Sequence, residues 1–401
     1  MANMFRPRDE TDIVDAITWA VSRQKSFDVI GHGTKRGIGG ALETDSVLDM
    51  SGHVGVVFYE PEELVLSAKA GTPMADIEKM LLEHRQEFAF EPMDTGPLFG
   101  QAAGQGTLGG MLSINFSGPR RIKAGASRDH TLGMKAVSGR GEAFKAGGRV
   151  VKNVTGYDLP KLMAGSFGTL AVMSELTFKV LPVAESNETL FVLGLSDAHA
   201  IEVMAAAMGS ACDVSGAAHA PMDVAAHLPF KTNSAITALR LEGIARSIAD
   251  RRVKLEAMFK SLGMLVVLRD TESRLFWNAV RDAAPFTLRP SNALWRISVT
   301  PSEGAKIGER IASATGARIL YDWAGGLLWV EMPDARHQDA VVRSAVRRSG
   351  YAILARVDPS SRGIASTFGE PEAGILKVMK KLKQSFDPQA VLNRGRMYVG
   401  L

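Results

Sequence analysis

Cysteine is almost absent from this chain: Cys212 stands alone among 401 residues. One thiol closes no intrachain disulfide and builds no multi-cysteine metal or iron–sulfur site, so a small core role is expected for it. The expected compartment is the cytoplasm. No uninterrupted apolar run approaches the roughly 20 residues that span a bilayer, and Met1–Glu10 lacks the apolar stretch of a secretion signal. Excess charge is also scarce: 47 basic against 43 acidic residues leave +4. With no basic tract interleaved with aromatics, nucleic acid is not an expected partner. The densest basic stretch, Lys377, Lys380, Lys381 and Lys383, reads as a solvated helix face, with a membrane or partner contact as the alternative. The histidines (His32, His53, His84, His130, His199, His219, His227, His337) are scattered without ligand spacing, so no metal site is expected.

What the chain does have is glycine, 40 residues of it, gathered into three turns. The first, Gly31-His32-Gly33-Thr34-Lys35-Arg36-Gly37-Ile38-Gly39, follows a short apolar strand at Phe27–Ile30. Its spacing is one residue too long for the dinucleotide fingerprint, and no Gly-Lys-Ser/Thr follows as a phosphate loop requires. It is either a plain turn or a cradle of N–H groups for a pyrophosphate, with Thr34 adding a hydroxyl and Lys35 or Arg36 a countercharge. The second, Gly106-Thr107-Leu108-Gly109-Gly110, leads to Ser113, Asn115, Ser117 and Gly118; residues 95–119 read as a small-residue segment wrapping a ligand rather than building core. The third, Gly165-Ser166-Phe167-Gly168-Thr169-Leu170, is preceded by Lys152-Asn153-Val154-Thr155-Gly156-Tyr157-Asp158-Leu159. Glycine lets backbone approach a ligand closely, and three such turns beside strands read as a nucleotide or dinucleotide site.

A chain of this length suggests two domains. A helical stripe over residues 10–24, strands at 54–59 and 64–68, and a helix opened by Thr72 as N-cap and Pro73 at its first position precede the alternating strand 169–180. That helix is expected to turn Met74, Ile77, Leu81 and Leu82 inward. Leu181-Pro182 closes the region. Beyond it, two similar strand–helix cycles, 190–268 and 294–356, suggest a duplicated sandwich of antiparallel sheet and helices. A helix at 372–386 ends at Asp387-Pro388. The expected fold class is therefore α+β.

The third turn resembles the vanillyl-alcohol-oxidase, or PCMH-type, FAD-binding family, whose pattern K-N-x-T/A-G-Y-D-L, a gap, then G-S-x-G-T-L runs from Lys152 to Leu170. G-T-L-G-G at Gly106–Gly110, S-G-P-R-R at Ser117–Arg121 and F-D-P-x-x-V-L-N-x-G-R at Phe386–Arg396 are similar to the FAD-binding subunits of bacterial glycolate oxidases within that family. The resemblance covers the first 182 residues well, the last thirty moderately and the middle weakly. It implies a two-subdomain FAD-binding domain at 1–183, an α+β cap at 184–357 and a segment at 358–401 returning to the first domain. It further implies that Gly31, His32, Gly33, Thr34, Lys35 and Arg36 hold the FAD pyrophosphate. Gly106, Thr107, Gly109, Gly110 and Ser113 would run along the adenosine and ribityl portion, followed by Ser117 and Gly118. Gly165, Ser166, Gly168, Thr169, Leu170 and Val172 would line the isoalloxazine or its diphosphate, and Asn153, Tyr157 and Asp158 would buttress the loop.

The chain departs from the family where chemistry is done. Relatives that attach FAD covalently use a histidine at the position of Thr34, so non-covalent FAD is expected, with His32 as the alternative anchor. The H-x-G-D-G-N-x-H and E-H-G-x-G segments of catalytic relatives are missing; Ser366–Pro371 occupies the place of the second, and Phe167 stands where many relatives carry Glu. The resemblance implies the FAD-binding subunit of a glycolate oxidase complex, working with a larger FAD-binding catalytic subunit that oxidises glycolate to glyoxylate and with an iron–sulfur subunit. Such a complex would be cytoplasmic or peripheral to the inner face of the cell membrane. The alternatives are a self-sufficient 2-hydroxy-acid dehydrogenase, with Arg289, Arg296, Tyr321 and Asp322 as candidate groups, and a flavin-free assembly subunit.

Overall fold

The computed structural model describes residues 3–150, 156–362 and 366–398. The N-terminal region holds two sheets. One is a three-stranded parallel sheet with Ser46–Asp49 between Asn3–Phe5 and Phe27–Ile30. Against it packs helix Glu10–Arg23, whose Ile13, Ala16, Ile17 and Ala20 recur at helical spacing and are buried. Asp9 caps this helix by accepting the Asp12 N–H. The other is a five-stranded antiparallel sheet in the order Val56–Glu60, Val65–Lys69, Ala171–Lys179, Thr131–Ser138, Ala143–Gly147. Its core contains Leu176, Phe178 and Val180, the apolar positions of the alternating strand.

Three local expectations fail here. Thr72 does not cap helix Met74–Glu83: its hydroxyl donates to the Lys69 carbonyl at 2.7 Å and accepts from Gly55 N–H at 3.0 Å, binding it to the preceding turn, and Pro73 holds the cap position. Leu82 points outward, 62% exposed. Residues 95–119 contain a helix, Leu108–Ile114, with Leu108, Met111 and Leu112 in the core of the five-stranded sheet. Thr107 caps it, accepting from Gly110 N–H at 3.3 Å. Helical glycines at 109 and 110 disguise it in the sequence.

The cap is one eight-stranded antiparallel sheet built from two βαββαβ halves. The first comprises strand Ser186–Leu193, helix Asp197–Met208, strands Gly216–Ala220 and Ile236–Gly243, helix Ala245–Phe259 and strand Met264–Arg269. The second comprises strand Leu294–Val299, helix Gly304–Thr315, strands Arg318–Asp322 and Leu327–Glu331, helix Asp339–Val346 and strand Gly350–Arg356. In each half the second strand lies at an edge, and these two edges meet at the pairing of His219 with Tyr321. The duplication expected from the sequence is thus present, as two copies joined edge to edge. The four helices cover one face of the sheet. The opposite face packs on helix Asp270–Arg281 and, from the N-terminal region, on Ile38, Met93, Leu98, Ile114, Phe116 and Phe167.

Two sets of polar contacts fix the cap on the first region. Arg240 grips Glu91 bidentately at 2.7 and 3.0 Å, with both groups buried. Burial alone would raise the Glu91 carboxyl, but Arg240 and Arg120 outweigh it and hold the group well below the carboxylate range. Trp323 Nε1 donates to the Gly118 carbonyl at 3.0 Å, and Arg356 donates to the Leu98 carbonyl at 3.0 Å. The C-terminal segment returns to the first sheet: Phe27 N–H donates to Val391 O at 2.7 Å, and Gly40 N–H to Arg396 O at 2.8 Å.

Candidate functional site

The three glycine turns meet. They line one cleft, open to solvent on one side. The first turn enters it directly from strand Phe27–Ile30 and contributes Gly31 through Arg36. Thr107, Gly109 and Gly110 come from the start of helix Leu108–Ile114 and Ser113 from its last turn; the Leu108, Gly109 and Gly110 N–H groups are already taken by Thr72 O, Ala70 O and Thr107 Oγ1. Phe167, Gly168 and Val172 come from the third turn and the strand after it.

Close approach explains the glycines. A Cβ at Gly31 would sit 2.5 Å from Thr107 Oγ1, so the first and second turns touch only because that carbon is missing. Gly168 has φ of +69°, and a Cβ there would stand 2.7 Å from Asn393 Nδ2. His32 Nδ1–H donates to the Gln105 carbonyl at 3.0 Å, a second link between the two turns.

Not every expected residue faces the cleft. Gly165 and Phe167 donate their N–H groups to Leu112 O at 3.0 Å and Ser113 O at 2.9 Å, clipping the third turn onto the helix end. Thr169 donates to Ser166 O at 2.7 Å, closing that turn on itself, and Leu170 packs into the core of the five-stranded sheet. Gly165, Ser166, Thr169 and Leu170 therefore shape the wall instead of lining it. Gly106 stands beside Lys35, whose Nζ would lie 3.3 Å from a Cβ placed there. Ser117 accepts from Ser127 N–H at 3.2 Å, and Gly118 is pressed against Glu91 and Arg281 at the cap boundary. Asn153 falls outside the described residues. Tyr157 is 90% exposed, and Asp158 caps helix Leu159–Met163.

Two lining residues missing from the sequence expectation come from the other end of the chain. Asn393 bridges the strand before the first turn and the third turn, accepting from Val29 N–H at 2.7 Å and donating to Phe167 O at 2.8 Å. Arg396 donates to Lys35 O at 2.6 Å, while its Nε is buried without a hydrogen-bond partner. The V-L-N-x-G-R pattern was the available signal for both residues.

The electrostatics of this end of the cleft are one-sided. Lys35, Arg36, Arg362 and Arg396 gather there, and Asp28 is paired with Arg36. Burial, opposed by the Asp94 carboxylate, pushes the Lys35 ammonium down to about 8, its hydrogen bond being a 3.1 Å contact to Thr34 Oγ1. Burial, with Arg362 and Arg36 against it and Asp28 in its favour, brings Arg396 down to about 10. Buried cations are costly unless paired. A diphosphate supplies the missing negative charge, so the residues present fit a dinucleotide cofactor.

None of the cap candidates lines this cleft. Tyr321 donates its hydroxyl to Asp197 at 2.6 Å on the helix-covered side. Arg296 is buried with its guanidinium 4.5 Å from the Phe116 ring centroid, 4.9 Å from Trp323 and 5.8 Å from Trp329. Asp322 is buried, its carboxyl pushed up to about 7 by burial, and it accepts from Trp323 N–H at 2.7 Å. Arg289 is exposed and offers its carbonyl to Arg356 at 2.9 Å. Among the described residues no group of three metal-ligating side chains occurs, and no helix is long and apolar enough to cross a membrane.

A glycine-walled cleft with surplus positive charge, set in two small sheets beneath a cap, is the architecture of flavin-dependent oxidoreductases. Residues 1–147 match the FAD binding domain family. Over 99% of its length the chain superposes on p-cresol methylhydroxylase, with a TM-score of 0.74, 13% identity and 88% of that chain covered, a likeness of fold. Similarity to the glycolate oxidase subunit GlcE of Escherichia coli (strain K12) is 31% identity over 97% of both chains. Glycolate oxidase subunit GlcD of Bacillus subtilis (strain 168) is 26% identical over 73% of this chain and 68% of its own length. The chain belongs to the family of FAD-binding glycolate oxidase subunits typified by GlcE, and its cofactor is FAD.

Proposed function

We propose that this chain is the FAD-binding subunit of a glycolate oxidase complex that converts glycolate to glyoxylate. In that reading residues 1–183 hold the cofactor, 184–357 form the cap and 358–401 complete the floor of the cleft. The observation that carries it is the meeting of three glycine turns and a buried, undercompensated cation cluster in one cleft. Bound FAD supplies two-electron redox chemistry. The chain's own part is to hold it: the glycine turn Gly31–Lys35 would cradle the diphosphate, Gly109 and Gly110 would let it approach the backbone closely, Lys35 and Arg396 would neutralise it, and Gly168 would let backbone lie against the ring system. No side chain links to the cofactor, so it dissociates.

Substrate chemistry is assigned elsewhere in the complex. Oxidising a hydroxy acid needs a base at the substrate carbon and cations for the carboxylate. Ile114 and Phe167 line the cleft and are also packed against the cap sheet, which closes the space between cleft and cap with apolar side chains. The partners are a larger FAD-binding catalytic subunit and an iron–sulfur subunit that carries electrons onward, in a complex that is cytoplasmic or peripheral to the inner face of the membrane.

The test is a spectrum followed by a mixing experiment. The purified chain takes up about one FAD and shows flavin absorbance; mixed anaerobically with glycolate, it does not bleach until the other subunits are added. Bleaching by the chain alone would make it a self-sufficient dehydrogenase, and a colourless chain that takes up no FAD would make it an assembly subunit. Gly168→Val should abolish FAD retention, since a β-branched side chain at positive φ costs about 1–3 kcal/mol and meets Asn393.

A further inference from the structure

Helix Ala373–Phe386 carries the lysine run noted in the sequence, and nothing in the cleft uses it. Its polar contacts with the rest of the protein, among the described residues, lie in its last turn. Lys383 is its one buried residue, donating to Thr169 O at 2.8 Å and Leu392 O at 3.2 Å and pairing with Asp387 at 2.7 Å. Gly139 N–H donates to Phe386 O at 2.9 Å, Arg140 reaches the Ser385 carbonyl, and the Phe386 ring lies 5.9 Å from that of Phe144. Toward its N-terminus one side of the helix is open: Ile375, Lys377 and Val378 are exposed, a Cβ placed at Gly374 would meet nothing within 4 Å, and Leu376, Met379 and Leu382 are half-buried.

The exposed part is amphipathic. At 3.6 residues per turn, Ile375, Val378, Met379, Leu382 and Phe386 fall on one stripe. Ile375 and Val378 are 55% and 57% exposed, and of the five only Phe386 packs against any of the four hydrophobic clusters. Lys377, Lys380 and Lys381 lie on the opposite side of the helix, which contains no acidic residue. None of the three has an ion-pair partner among the described residues. An apolar stripe that joins a core only at Phe386 and exposes Ile375 and Val378, beside unpaired cations, marks an interaction surface, and the charge selects an acidic occupant.

We infer that the first three turns of this helix seat in an apolar groove with an acidic rim on another subunit of the same complex, a helix-in-groove contact. The inference rests on the reading of the chain as one subunit of an oxidase. A membrane surface would also accept basic residues, but the stripe has no Trp or Tyr of the kind that anchors helices at that interface.

The experiment co-expresses the full-length tagged chain with the catalytic and iron–sulfur subunits and weighs what copurifies. Ile375→Asp with Val378→Asp should reduce the copurified subunits at least tenfold, and Lys377→Glu with Lys381→Glu about fivefold, with FAD content and melting temperature unchanged in both. Wild-type stoichiometry in both variants would overturn the inference and leave the subunit reading standing. A wild-type chain that copurifies with neither subunit would end both. If the wild type pelleted with phosphatidylglycerol vesicles, and the aspartate variant lost that binding while still copurifying, the helix would be a lipid contact and the inference would be overturned.

Discussion

Arginines are buried in both halves of this molecule, and they meet opposite fates. In the cap and at its boundary each buried cation has a local answer. Arg240 is clamped on Glu91, Arg318 and Arg356 share Glu331 at 2.6 and 3.3 Å, and Arg296 is enclosed by three aromatic rings. Around the cleft the answer is incomplete: among the described residues neither Arg396 nor Lys35 has a carboxylate within ion-pair distance, Arg396 donates only to the Lys35 carbonyl, and the Lys35 ammonium meets a hydroxyl. A paired buried charge indicates architecture, whereas an unpaired one indicates a ligand.

This contrast can be broken by mutation. The largest effect should come from Arg240→Met, which leaves the Glu91 carboxylate buried without its main partner; urea unfolding should show a loss of about 3–5 kcal/mol, with FAD affinity of the folded fraction unchanged. Because Glu91 titrates below its ordinary range in the folded protein, its contribution is present above pH about 4.5 and lost as pH falls below it. Arg396→Met should behave in the reverse manner. Removing a charge-assisted contact costs about 1.5–3 kcal/mol of FAD binding, seen by fluorescence titration, while the FAD-free protein keeps its melting temperature.

Lys35 gives the comparison a pH axis. Its folded-state value of about 8 lies below the ordinary lysine value, so the FAD-free protein binds fewer protons than the unfolded chain between them. Thermal stability without FAD should therefore rise as pH increases from about 8 to about 10.5. FAD affinity should move the opposite way, falling up to about tenfold per pH unit above 8, because the diphosphate needs the charged ammonium. Lys35→Met should flatten both profiles. The smallest effect belongs to Tyr321→Phe, which deletes one hydrogen bond to Asp197 where the cap halves join: about 1 kcal/mol in denaturant unfolding, with no change in the FAD titration.

The glycine turns are readable because only glycine tolerates their geometry, as at Gly31 and Gly168, and the cap strands because they are short continuous apolar runs, as at 190–193 and 327–330. Strand Gly216–Ala220 escaped notice: Gly-Ala-Ala-His-Ala has low strand propensity and is held by burial on both faces of the sheet centre. Helix Asp270–Arg281 was missed despite Ser273, Phe276, Trp277 and Val280 at helical spacing. Asn393 and Arg396 carried a family pattern, but their role depends on contacts across more than 360 positions, which local periodicity does not reveal.

That span has a consequence for biosynthesis. Since Asn393 fastens Val29 to Phe167, the pocket lacks its fastener until residue 393 has left the ribosome, more than 220 residues after Phe167. Newly made protein therefore loads its vitamin-derived passenger only after residue 393 has emerged, and truncation after Asp387 should yield a colourless product whose sheets are otherwise intact.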